Sequence, residues 1–205
     1  VEAQAKGMAY NATLDAYDWN SDFSEMAMAA SNGLLISNHS YGTIAGWYWN
    51  GSDWVWYGDT GISNDEDYHF GFYGSQCEDL DEMAHNAPYY LICFAAGNDR
   101  GDGAGETGHP PDGGTDGYDC IGYKGNAKNI LTVGAVKDVP GGYSGDPTDV
   151  EMTSFSSWGP SDDGRIKPDI VGNGYYLYSA YDGANDDYNS ISGTSMATPN
   201  VVGSL

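Results

Sequence analysis

The sequence predicts an α/β fold: three layers, with a mostly parallel sheet carrying helices on both faces. Two continuous apolar runs point to it, YYLICFAA (89–96) and ILTVGAV (130–136). Unbroken apolar runs of that length are typical of strands buried on both faces of a parallel sheet. Helix-like segments precede and separate strand-like ones, and that alternation builds βαβ units with right-handed crossovers.

Taken in order, residues 12–18 alternate apolar and polar and read as a strand. Residues 22–31, DFSEMAMAAS, contain good helix formers, with Ser or Asp at the start as a candidate cap. The following Asn32-Gly33 supplies a helix stop. Residues 34–37 form a short apolar strand. Residues 78–87 read as a second helix, closed before Pro88. Two long loops interrupt the pattern. Residues 43–76 hold Trp47, Trp49, Trp54 and Trp56, and the stretch 49–54 reads as a hairpin with a glycine turn. Residues 99–119 are rich in Gly, Asp and Pro and read as irregular. Residues 153–192 read as short β segments broken by glycine. No repeat of 20–50 residues is visible, which excludes solenoids and propellers.

The chain has 205 residues, about one domain's length. Few aliphatic residues and a net charge of −23 would place it near the disordered class. Its 17 Tyr and 6 Trp supply the burial that the aliphatic residues lack. Thirty acidic against seven basic residues argue against a nucleic-acid partner, whose phosphates demand Lys and Arg, and against an anionic membrane surface. No apolar run approaches the ~18 residues of a membrane-spanning helix. Asp- and Gly-rich loops leave structural calcium as an expectation, although no stretch has EF-hand spacing. Cys77, Cys93 and Cys120 fit no zinc spacing. Cys93 reads as a small buried hydrophobe, and Cys77 and Cys120, read as loop residues, could pair in an oxidising compartment. Val1 and the uncapped apolar end read as the ends of a piece of a longer chain, with no targeting segment to read.

Three segments can carry chemistry. In SISGTSMATPNVVG (190–203) a strand ends at Gly193 and a helix begins at Thr194 or Ser195. A serine there either caps the helix or acts as a nucleophile whose oxyanion meets the first-turn N–H groups. In FAAGNDRG (94–101), Asn98 stands just beyond a buried strand, where open α/β sheets bind ligands. It is either a turn residue or an amide donor for an oxyanion. In ISNHSYG (36–42) a strand runs into glycine, and its edge could pair with an extended peptide.

Together these segments resemble the subtilisin-like serine proteases, the subtilases. GTSMATPNVVG is similar to their nucleophile motif, FAAGND to their oxyanion-asparagine motif and SNHSYG to their substrate-binding strand. SFSSWGPSDDGRIKPDIVGNG (154–174) is similar to the stretch before the nucleophile, and KGMAYNATLDAYD (6–18) to the segment after the catalytic-histidine helix. The resemblance implies a serine endopeptidase, acting on a polypeptide substrate, with Ser195 as nucleophile. Asn98 and the Ser195 backbone N–H would be the oxyanion donors, with Thr194 orienting the hole. Ser40, Tyr41 and Gly42 would pair with substrate backbone and form one wall of the primary specificity pocket; Ala95, Ala96 and Gly97 would form the other. It implies no cofactor for the chemistry, and a secreted protein. Residues 1–205 would be one partial peptidase domain, with residues 43–76 as a Trp-rich insertion flanking the cleft.

Some features depart from the family pattern. The upstream D-[ST]-G and H-G-T-H motifs are absent, and none of His39, His69, His85 and His109 lies where a general base belongs. The piece alone would then be inactive, its Asp and His lying upstream in the parent protein. A protease-like peptide-binding module is the alternative reading, and a calcium-dependent adhesion domain a third. Trp158 replaces a common Arg, Gly172-Asn173-Gly174 replaces Ala-Pro-Gly, Asn200 replaces His, and Tyr10 replaces a frequent Pro.

Overall fold

The computed structural model describes residues 3–103, 109–113 and 116–205. Four strands form a fully parallel sheet in the order β1 (Ile36–His39), β4 (Leu91–Ala95), β5 (Leu131–Val136), β6 (Ile170–Asn173). Two antiparallel hairpins stand apart from it: β2 (Trp47–Trp49) with β3 (Trp54–Trp56), and β7 (Leu177–Ala180) with β8 (Tyr188–Ile191). The helices are α1 (Asp22–Ser31), α2 (Ser75–Asn86) and α3 (Thr194–Val202). The three-layer α/β architecture expected from the sequence is the one observed.

Strand alternation sorts the core onto two faces. Ile92 and Phe94 of β4 pack with Met26 of α1 and with Cys77 and Leu80 of α2. Val133 and Ala135 of β5 point the other way and pack with Ala197 and Val201 of α3. Full burial of a Phe94- or Leu80-sized side chain stabilises the fold by roughly 1.5–3 kcal/mol, so the larger cluster anchors β4. Gly172 lets α3 lie almost directly on β6. A Cβ there would come within 2.7 Å of Val201 Cγ2 and 2.9 Å of the Ala197 carbonyl oxygen. The departure at Gly172 is therefore tied to how closely the third helix sits on the sheet.

Helix α1 has the bounds read from the sequence. Asn32 N–H bonds back to Met28 and Ala29, and Gly33 follows at φ +94°. Its cap differs from expectation: Ser21 makes no side-chain cap bond, and Asp22 Oδ1 accepts from the Phe23 N–H at 2.9 Å. The hairpin at 49–54 is also as read. Asn50 Oδ1 accepts from the Ser52 and Asp53 N–H groups, and Gly51 turns at φ +97°.

Two readings are corrected. Residues 12–18 form no strand, and Leu14 is 88% exposed. Alternation alone does not make a strand; the backbone needs a partner to satisfy its N–H and C=O groups, and no strand pairs with this stretch among the described residues. The three cysteines are free and buried, so Cys77 and Cys120 form no disulfide. Cys77 sits in α2, its thiol donating to the Tyr123 carbonyl at 3.1 Å, while Cys120 packs with Ala45 and Phe70. Both are core residues. Cys93 is a fully buried hydrophobe, as read. Residues 104–108 and 114–115 of the loop read as irregular lie outside the described residues.

Candidate active site

Strands β1 and β4 end side by side, and their carboxyl ends run into residues 40–42 and 96–98. The N-terminus of α3 meets the same point. Gly193 occupies the cap position of α3 and provides no side-chain cap, so the capping reading of Ser195 falls away. The helix is capped instead from a distance of 96 residues: Asn98 Oδ1 accepts from the Thr194 N–H at 2.8 Å and from Thr194 Oγ1 at 3.0 Å. Thr194 Oγ1 also lies 3.2 Å from the Gly97 carbonyl oxygen. With its oxygen held in this way, the amide of Asn98 has a fixed orientation, and Nδ2 makes no hydrogen bond among the described residues. Met196 and Ala197 donate to the Gly193 carbonyl. That leaves the Ser195 N–H without an acceptor among the described residues.

Pro199 explains a second contact. It lacks the N–H that would bond to the carbonyl of Ser195 one turn back. The freed Ser195 carbonyl accepts instead from Ser40 Oγ at 2.9 Å. Ser195 Oγ in turn lies 3.3 Å from the Ser40 carbonyl oxygen, its acceptor. The two serines thus lock the end of β1 to the start of α3.

A cleft of about 390 Å³ opens here. Tyr41, Gly42, Ala95, Ala96, Gly97, Asn98, Thr194 and Ser195 all line it. Ser40 is the one predicted site residue behind this surface, held against Ser195. Gly97 turns at φ +110°, and a Cβ there would lie 2.5 Å from Asp99 Oδ2 and 2.8 Å from Ser157 Oγ. The chain between strand and asparagine can therefore be only glycine.

A subtilase-family model matches residues 1–205. The chain belongs to the subtilase family. Curated relatives include C5a peptidase of Streptococcus pyogenes serotype M3, 41% identical over 80 residues, which are 39% of this chain and 6% of that protein. Pyrolysin of Pyrococcus furiosus is 48% identical over 56 residues, 27% of this chain and 4% of that protein. The matched regions thus span a small part of these relatives' length. Among solved structures, the PatG macrocyclase in complex with peptide superposes with a TM-score of 0.51 at 17% identity, covering 90% of this chain and 39% of that one. That likeness is one of fold.

Three of the four histidines of this subtilase are engaged elsewhere, and the fourth is exposed on α2. His39 stacks on Phe94 and bonds to Ser37 and to the Tyr41 hydroxyl; burial drops its pKa to about 4. His69 Nδ1 lies 2.5 Å from the buried carboxylate of Asp67. His85 is exposed on α2, and His109 stacks on Trp56 and bonds to the Asn64 carbonyl. No imidazole hydrogen-bonds Ser195 among the described residues.

The cleft also contains residues outside the three segments singled out for chemistry. Trp47, Tyr48, Trp49 and Trp54 of the hairpin line it, so the Trp-rich loop does flank the cleft. Lys124 lines it too, with its ammonium 2.8 Å from Asp22 Oδ2 and over the Tyr41 ring. Asp99 and Asp102 line it as well. Burial raises Asp99 to about 6, and the nearby Asp102 adds to the shift. The adjacency of Asp99 to Asn98 was the available signal; Lys124 had none. Trp158, standing where an Arg is common, stacks on the Arg100 guanidinium instead. No three carboxylate, imidazole or thiol groups gather as a metal site would require among the described residues, and no helix there is long and apolar enough to cross a membrane.

Proposed function

We propose that this chain carries the nucleophile and oxyanion site of a secreted serine endopeptidase, with Ser195 attacking the scissile carbonyl. The observation that supports this most is the fixed Asn98 amide. Its oxygen is occupied by Thr194, and its Nδ2 is left for an oxyanion in the cleft that Ser195 shares. As the carbonyl becomes tetrahedral, charge develops on its oxygen. Asn98 Nδ2 and the Ser195 N–H donate to it, and the positive end of α3 adds to the field. Collapse expels the amine and leaves an acyl-serine, which water hydrolyses. Residues 40–42 would pair with the substrate backbone on one side and 95–97 would wall the other.

A serine hydroxyl needs a base to take its proton. We infer that an aspartate and a histidine on a segment of the parent protein preceding Val1 supply it, and that residues 1–205 alone do not turn over peptides. The test is hydrolysis of a fluorogenic peptide library by the full-length protein, wild type against Ser195→Ala. A peptide-binding module without catalysis is the second reading, favoured by the absence of an imidazole hydrogen-bonded to Ser195 among the described residues. Peptide binding without hydrolysis by the full-length protein would establish it.

A further inference from the structure

We propose that the cleft selects a cationic side chain, lysine or arginine, on the substrate residue whose carbonyl meets Ser195. This deepens the endopeptidase reading and rests on it for the direction of the bound peptide. Two features of the cleft converge. One wall is aromatic: Tyr48, Trp49 and Trp54 present rings from one hairpin, with Trp49 49% exposed and Trp47 buried at their base. Ring faces attract cations, arginine most often. Its inner side carries Asp99 and Asp102, next to the Gly97–Asn98 turn.

The negative charge there is uncompensated. Lys124 is the one basic residue among the lining residues, and it is already paired with Asp22. Arg100 is directed away, donating to the Thr153 and Ser154 carbonyls. Behind the cleft wall, Asp112 is only 3% exposed and its Oδ1 has no partner. That oxygen lies against Gly46, between the cleft-lining Ala45 and Trp47, and the nearby Asp99 and Asp102 help to keep this carboxyl protonated. Two carboxylates, Asp99 and Asp102, beside an aromatic wall with no free cation among the lining residues suit a substrate that brings one.

The test uses the 205-residue chain and its own cleft tryptophans as fluorescent reporters. Three peptides are titrated: acetyl-Ala-Ala-Arg, acetyl-Ala-Ala-Leu and acetyl-Arg-Ala-Ala. The third controls for the general attraction of a cation to a chain of charge −23. The expected result is at least tenfold tighter binding of the first peptide than of either other. That advantage should fall below threefold in Asp102→Asn and in Asp99→Asn, each nearly isosteric, while near-ultraviolet circular dichroism stays unchanged. Equal binding of the two arginine peptides, tighter binding of the leucine peptide, no binding by any, or an advantage untouched in both variants would overturn the proposal. Hydrolysis is not required for this readout. A non-hydrolytic full-length protein with arginine-selective binding would therefore defeat the endopeptidase reading and leave selectivity intact.

Discussion

Asn98 and Thr194, 96 residues apart in the chain, are joined by two hydrogen bonds that both end on Asn98 Oδ1. The pair caps α3 and sets the direction of the amide nitrogen at once. Asn98→Ala in the full-length protein should lower kcat by about 10²–10³ with little change in KM, the magnitude known for the oxyanion asparagine of subtilisin itself. Thr194→Val keeps the shape and the N–H bond but removes the hydroxyl. Its effect should be smaller, near tenfold, and also confined to kcat. Separate determination of kcat and KM for both variants checks this, and a change in KM alone would make the pair a binding element.

The seat of α3 on the sheet is the second point of leverage. Gly172→Ala would push a methyl into Val201 and the Ala197 carbonyl. Overpacking of this kind costs about 1–3 kcal/mol. Chemical denaturation should show that loss, and peptide hydrolysis should fall with it because Ser195 moves with its helix. A fully stable Gly172→Ala variant would mean that α3 is free to shift.

The Asp112 carboxyl gives the stability a pH dependence of known sign. Burial pushes its pKa to about 8, well above the usual carboxylate value, and Asp99, Asp102 and Asp67 add to the shift. Between pH 4 and 8 the folded chain therefore holds a proton at this site that the unfolded chain releases. Stability from this group is greatest at the low end and falls as pH rises through 8. Asp112→Asn keeps an acceptor for the Trp47 N–H, which bonds to Oδ2 at 2.8 Å. The variant should be more stable than wild type at pH 8, on the order of a few kcal/mol, with the advantage fading towards pH 4. Thermal melts at the two pH values test it; an advantage that grows as pH falls would have the wrong sign.

Three buried thiols should be silent in the native protein. Burial raises Cys93 and Cys120 to about 11 and shifts Cys77 in the same direction. A thiol reagent at neutral pH should modify none of them until denaturant is added, then all three. Reductant should leave Tm unchanged. A reductant-sensitive Tm would show a disulfide.

Much of this was legible in the sequence because it was local. The apolar runs gave β4 and β5, the Asn-Gly pair ended α1, and the serine and asparagine segments marked the cleft. Residues 12–18 misled because their alternation resembles a strand's without the partner a strand needs. Cys77 and Cys120 misled because flanking polar residues disguise positions that tertiary contacts bury, in α2 and against Phe70. The acidic side of the cleft was hidden for another reason. Asp112 reaches the neighbourhood of Asp99 and Asp102 only through main-chain bonds across the loop, from Gly101 N–H to the Asp112 carbonyl and from Asp112 N–H to the Asp102 carbonyl. No spacing rule encodes that.

The most direct measurement is peptide hydrolysis by the full-length protein carrying Ser195→Ala. The account predicts a folded variant whose kcat falls by about 10⁶, the loss known for the nucleophile of subtilisin, with peptide binding retained. Hydrolysis at the wild-type rate would show that the nucleophile lies elsewhere.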